Sequence, residues 1–319
     1  MATYKGIKGF SIQNLSADPS NPIEGEMWYN STSNVWKVEE TTAAGAWATG
    51  GSLNTARSGS GSAGTQNAAL VFAGDTPPST AATEAYNGST WTSVSNMSTA
   101  RAQIGEAGIQ TAALAFGGAP PAGGTTATEE YDGSTWTAGG ALATGRYFTG
   151  GAGLQTAGLG FGGYSTGAPT GATEEYDGSA WTAGGSLATA RLGLAGCGIQ
   201  TAALAVGNTP TAEEYDGTSW TAGGVLNTPR GQIGTAGIQT SAITFGGSAP
   251  SPGGTAVTEE YDGSTWTTVA SMGTARYNLS GAGTAPAGLA IGGYATANVA
   301  NTEEWTGAGA AVTKTITAS

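Results

Sequence analysis

Tryptophan recurs along this chain as Trp47, Trp91, Trp136, Trp181, Trp220 and Trp266, at steps of 44, 45, 45, 39 and 46 residues. Ten residues after each comes an arginine, and Leu53, Met97, Leu142, Leu187, Leu226 and Met272 lie six residues after. An apolar run ending at or near Gly-Gly follows, as in Ala113–Gly118 and Ala242–Gly247. A Glu-containing motif then closes on Tyr86, Tyr131, Tyr176, Tyr215, Tyr261 or Trp305. One such unit cannot bury its apolar face alone, so neighbouring copies must cover one another. A period near 45 with several short apolar runs and Gly-rich turns is that of a four-stranded propeller blade.

The spacing in one unit predicts strands over 101–110, 111–118, 127–131 and 136–138. Asp132-Gly133 marks a tight turn between the last two, and Asn87-Gly88 repeats it. The predicted fold is all-β: a six-bladed propeller over residues 38–310. Trp47 lacks preceding strands of its own, and the last unit, with Arg276, Gly292-Gly293 and Trp305, lacks a closing Trp strand. Pairing of the two chain ends would complete the sixth blade and remove its open edge. Val38-Glu39-Glu40 reads as a decayed copy of the Glu motif, and residues 311–319 form a tail or an alternative closing strand.

Composition narrows function. Net charge is −12 with only 10 Lys+Arg, which excludes the basic clusters that nucleic-acid binding requires. No apolar run is long enough for a membrane span, and the first residues lack the apolar segment of a secretory signal. One cysteine, Cys197, permits no internal disulfide and reads as a small core residue. The absence of histidine removes Ser-His-Asp and Cys-His catalysis and imidazole metal sites together.

Glu84, Glu129, Glu174, Glu213, Glu259 and Glu303 stand two residues before the aromatic in every copy. The six arginines of the chain are Arg57, Arg101, Arg146, Arg191, Arg230 and Arg276, one per copy. Acids and bases in equal number predict six Glu–Arg pairs, because a charge drawn inside needs a partner and guanidinium matches carboxylate. A reaction centre is asymmetric, so a motif copied six times reads as a building part and the chain as a non-enzyme. A ring of carboxylates around a cation such as Ca²⁺ is the alternative, but no loop has closely spaced oxygen ligands, and no metal or cofactor is assigned.

The order apolar-Gly-Gly, Tyr-Asp, Trp, Leu/Met, Arg over residues 47–307 resembles the Kelch repeat, a family of β-propellers with one repeat per blade. Ala73-Gly74-Asp75 and Val206-Gly207-Asn208 depart from the double glycine, and Asn87 and Thr306 from the aspartate. Between second and third strands the letters and lengths vary, and variable loops on a rigid scaffold carry binding. Tyr164 and Tyr294 begin two of these loops and are the candidates for stacking on a sugar.

Residues 1–37 precede the repeats and predict a turn-rich lead into a hairpin around Asn30–Asn34. Pro22-Ile-Glu-Gly-Glu-Met-Trp-Tyr-Asn30-Ser resembles segments of bacteriophage tail-fibre and other virion proteins. Arrays of this Gly/Ala/Thr-rich kind also resemble predicted structural proteins of marine phages. That resemblance implies a virion appendage, fixed to other virion proteins through Trp28, Tyr29 and Trp36 and binding a host-surface glycan or protein. It implies a place on the particle surface and leaves a homo-oligomer open; the alternative is a cellular interaction or lectin-like propeller.

Overall fold

The computed structural model describes residues 13–20, 26–41, 44–119, 123–248, 253–309 and 311–316. It divides into two compact units: Ala46–Thr306, and Met1–Gly45 with Gly307–Ser319. The described residues are all-β, with seven four-stranded sheets, one two-stranded ribbon and no helix.

In the larger unit each sequence repeat folds as one antiparallel four-stranded sheet. The second repeat is representative: Gly105–Ile109, Ala112–Phe116, Thr128–Tyr131 and Trp136–Ala138 pair in chain order. The first strand starts later than its apolar run suggests because Gln103 takes a left-handed φ of 56° and interrupts the extended backbone. Second strands such as Ala112–Phe116 and Ala202–Val206 are buried on both faces from their second residue on, so they read as continuous apolar runs. First strands are Gly- and Ala-rich because another sheet lies against them. A Cβ on Gly151 would sit 2.0 Å from the Glu106 carbonyl oxygen, a neighbour in the preceding repeat.

The sixth sheet contains Ser280–Thr284, Ala287–Ile291 and Thr302–Thr306, and its fourth strand is Ala46–Thr49, with Trp47 opposite Trp305. The C-terminal strand Ala311–Ile316 pairs instead with Val35–Thr41. That second pairing corrects two expectations. Val38-Glu39-Glu40 belongs to the smaller unit rather than to a blade, and the boundary falls after Gly45 rather than at residue 37. The tail is a strand of the smaller unit. The physical reason is backbone satisfaction: Val35–Thr41 is hydrogen-bonded on both edges, by Met27–Asn30 and by Ala311–Ile316, and has no edge left for a blade.

Four kinds of contact join one repeat to the preceding one. Gly59, Gln103, Phe148, Gly193, Gln232 and Asn278 all have φ between 51° and 62°. The N–H of each donates to the carbonyl of its counterpart one repeat back, at 2.6–2.9 Å, and Gly59 donates to Asn278, so the six bonds run in a cycle. Left-handed φ costs a non-glycine residue on the order of 1 kcal/mol or more. The bond that each residue donates and the bond that it accepts offset that cost. Gln66, Gln110, Gln155, Gln200 and Gln239, in the turns after the first strands, each donate to two carbonyls of the preceding repeat.

The remaining two kinds use the Glu motif. Tyr86, Tyr176, Tyr215 and Tyr261 donate their hydroxyls to Glu304, Glu130, Glu175 and Glu214, one repeat back, and Trp305 donates to Glu260. Burial, reinforced by that carboxylate, pushes the Tyr176 and Tyr215 hydroxyls up to about 12. Tyr131 has no such partner because Ala85 replaces the glutamate. Indole N–H groups of Trp47, Trp91, Trp136, Trp181 and Trp220 donate to Thr258, Thr302, Thr83, Thr128 and Thr173. Trp266 has a buried N–H with no acceptor, since Ala212 stands where that threonine would be. Ala212→Thr is therefore expected to stabilise the larger unit by about 1 kcal/mol, read as a rise in Tm by calorimetry. The gain should vanish in a Trp266→Phe background; a gain that persists there would assign it elsewhere.

In the smaller unit, Gln13–Leu15 lies parallel to Met27–Asn30, which forms a hairpin with Val35–Thr41 through Asn34 at φ 56°. Trp28 is fully buried and donates its indole N–H to Asp18. Lys37, Asn30 and Trp28 hold the Asp18 carboxyl down at about 2. A ring with no exposed surface cannot meet a partner, which removes Trp28 from the attachment candidates. Tyr29 and Trp36 remain, 5.3 Å apart between ring centroids. They share one sheet face with Met27, Val38 and Ile316, and Met27, Trp36 and Ile316 are about two-fifths exposed.

Candidate functional site: tyrosine pairs on the variable loops

The structure sets each repeat Arg beside the repeat Glu of the same sheet, both buried. Arg57 lies 2.5 Å from Glu84 and Arg191 3.1 Å from Glu213, and Arg146, Arg230 and Arg276 hydrogen-bond Glu174, Glu259 and Glu303. Arg101 is 3.2 Å from Glu129, but its guanidinium is out of alignment and finds no acceptor. The other carboxylate oxygen accepts the N–H of Asn54, Ser98, Ala143, Ala188, Asn227 or Gly273, the residue after each repeat Leu or Met. Each carboxylate thereby pins the segment that leads into its own sheet, and Glu129 keeps one buried oxygen without a hydrogen bond. Among the described residues no group of three or more Cys, Asp or Glu could hold a metal ion.

The first strands line a cavity of about 110 Å³, beside a second of about 60 Å³. Its wall is glycine and alanine, with Cys197 at one alanine position, and Ser62, Glu106 and Thr235 supply polar side chains. Burial pushes the Cys197 thiol up to about 12, which leaves it un-ionised and unreactive. Glu106 contributes to both cavities and, among the described residues, has no hydrogen-bond or ion-pair partner; burial raises its carboxyl from 4.5 to about 8. An acid with a raised folded-state pKa favours folding while protonated. That contribution is complete below 4.5 and is lost as the pH rises through 8. Glu106→Gln should thus leave Tm unchanged at acid pH and raise it increasingly towards pH 8. Parallel melting curves for both proteins across that range would refute the assignment.

The two loop tyrosines are paired in the same way. Tyr164 bridges antiparallel to Tyr147 in the third repeat, and Tyr294 to Tyr277 in the sixth. Ring centroids are 5.4 Å apart in both pairs, tilted by 52° and 49°. Both pairs adjoin a loop of the preceding repeat whose Gly-Gly-Thr crosses the repeat Arg, through bridges Thr125–Arg146 and Thr255–Arg276. The glycines are required: a Cβ on Gly124 or Gly254 would lie within 2.8 Å of the Arg146 or Arg276 backbone.

At the first pair the loops enclose a cleft of about 350 Å³, bordered by Gly123, Gly124, Thr144, Tyr147, Tyr164 and Thr166. That volume lies in the range of small-ligand sites. The ribbon Tyr164–Ser165/Ala168–Pro169 holds its far wall, and the Tyr164 hydroxyl ties the turn by donating to the Gly167 carbonyl. An apolar ring pair, hydroxyls and open backbone make a surface suited to a sugar ring: C–H groups on the aromatic face, polar groups at its edge. Tyr147 and Tyr277 were not singled out from sequence. The available signal is that a tyrosine directly follows the repeat Arg only in the two repeats whose loops begin with tyrosine.

No family model and no curated protein matches this sequence. Solved structures do match by shape. The structure of YjhT superposes with a TM-score of 0.68 at 12% identity, over 79% of this chain and 95% of that one. At that identity the likeness concerns the fold alone, and it agrees with the sheet topology: the chain has an all-β, propeller-like repeat fold of four-stranded antiparallel sheets.

Proposed function

We propose that this chain is a closed, six-bladed, Kelch-like propeller serving as a non-enzymatic bacteriophage virion component, a tail fibre or capsid appendage that binds a host-surface glycan. The cyclic hydrogen bonds from Gly59 to Asn278 and the Trp47–Trp305 pairing support closure. The observation that carries the binding role is the repetition of one tyrosine-pair geometry on two separate variable loops. Two like tyrosine pairs on one unit favour a multivalent, glycan-coated surface, because linked weak contacts gain avidity. The apolar face of Met27, Tyr29, Trp36 and Ile316 is the attachment surface to the particle.

A glycan array tests the binding role. The wild type should bind a subset of glycans, Tyr147→Ala with Tyr164→Ala should weaken that binding, and adding Tyr277→Ala and Tyr294→Ala should abolish it. Wild-type binding no higher than background would remove the glycan reading. Mass spectrometry of purified virions tests the particle assignment separately, and its absence there would leave the cellular lectin-like alternative.

A further inference from the structure

The turns between first and second strands and between third and fourth strands lie at one end of every sheet, as the registers Ile109↔Ala112 and Tyr131↔Trp136 place them. At that end Ile109, Leu154, Ile199 and Ile238 occupy one repeat position and are 49–54% exposed. Beside them run the exposed turn aspartates Asp132, Asp177, Asp216 and Asp262. The two turns of a repeat touch, since a Cβ on Gly133 would sit 3.4 Å from the Thr111 carbonyl oxygen. Backbone N–H groups of the turns hold these carboxyls down, to about 2 at Asp132 and Asp216.

Neither feature is common to all six repeats. Thr65 and Thr284 fill the aliphatic position in the first and sixth repeats, so the turn tolerates a polar residue there. Asn87 caps its turn through the same oxygen, accepting from the backbone of Ser89 and Thr90 as Asp132 does from Ser134 and Thr135. The aliphatic and the aspartate nevertheless occur together in the same four consecutive repeats and are lost together in the other two. Gly108, Gly153, Gly198 and Gly237, each one residue before this arc, line the same cavity as the unpartnered Glu106.

We propose that this arc is a docking surface for a polypeptide segment carrying aliphatic side chains flanked by lysine or arginine. Apolar seats buried under a rim of opposite charge give the affinity and the orientation. A second copy of this chain would present the same acidic rim, and a membrane surface with anionic headgroups would be repelled likewise. The surface lies at the opposite end of the sheets from the tyrosine pairs and does not depend on the glycan reading.

The test uses the full chain and a labelled synthetic peptide of alternating leucine and lysine, followed by fluorescence anisotropy. The peptide should bind the wild type and bind about tenfold or more weakly when Ile109, Leu154, Ile199 and Ile238 are all replaced by Thr. Replacing the four aspartates by Asn should weaken binding at low salt and remove most of its salt dependence. Unchanged melting of both variants, expected from Thr65 and Asn87, separates loss of binding from loss of fold. No binding to the wild type, equal binding to both variants, or equal binding of a leucine–glutamate peptide would overturn the proposal. Self-association of the wild type that the Thr variant abolishes would assign the surface to a second copy instead.

Discussion

Glu259→Gln is expected to destabilise the larger unit by about 3–5 kcal/mol, seen as a lower denaturant midpoint with an unchanged slope. Glu259 and its partner Arg230 are both fully buried as side chains. One carboxylate oxygen accepts from Arg230 and the Thr228 N–H, the other from the Asn227 N–H and side-chain amide. An amide in that place loses the charge that compensates Arg230, and either way round its NH₂ faces donors. The pair is not worth that much relative to an apolar core: Arg230→Met together with Glu259→Gln should recover part of the loss, because no uncompensated buried charge remains. Glu129→Gln should cost less, since Arg101 is already out of hydrogen-bond alignment. Wild-type stability in Glu259→Gln would refute the view that these pairs hold the sheets.

Trp47→Ala is expected to cost about 3 kcal/mol, the lower end for a core tryptophan because Trp47 is only partly buried. Its ring packs edge-on against Phe245 at 5.0 Å and lies 5.4 Å from Trp305, and its N–H bonds Thr258 at 3.0 Å. These residues lie in the fifth and sixth sheets, so one side chain fastens a strand to both. The strand Ala46–Thr49 is joined to its sheet by no short turn, unlike Trp136–Ala138, which follows Asp132-Gly133. Loosening it should expose the edge of Thr302–Thr306, and amide exchange there should accelerate in Trp47→Ala. Trp136→Ala, whose strand is tethered by its hairpin, should leave the sixth sheet protected. Equal exchange at Thr302–Thr306 in both variants would contradict this division.

Much of the repeat was legible because strand pairing inside a sheet joins chain neighbours. The Trp-to-Arg and Glu-to-aromatic spacings record where each strand starts and which face it buries. The counts alone placed one Glu and one Arg in each copy, and the contact between them lies inside one sheet. The boundary at Gly45 was not legible. Val38-Glu39-Glu40 carries the letters of the Glu motif, and only its pairing with Ala311–Ile316 shows that its backbone is already taken.

What the sequence determined by itself is the content of a repeat: strand order, turn positions and the charged pair, all set by interactions within about 45 residues. What the three-dimensional arrangement added lies between repeats. Gln110 looks like a solvated turn residue until the neighbouring sheet supplies the Ala69 and Tyr86 carbonyls. Gln103 and Phe148 look like ordinary strand residues until a cycle of backbone bonds bends them into the left-handed region. Glu106 becomes a lone carboxylate in a cavity, and Ile109 to Ile238 an exposed arc, only when the sheets stand side by side. Periodicity encodes which residues face away from their own sheet, and packing geometry alone says what they then meet.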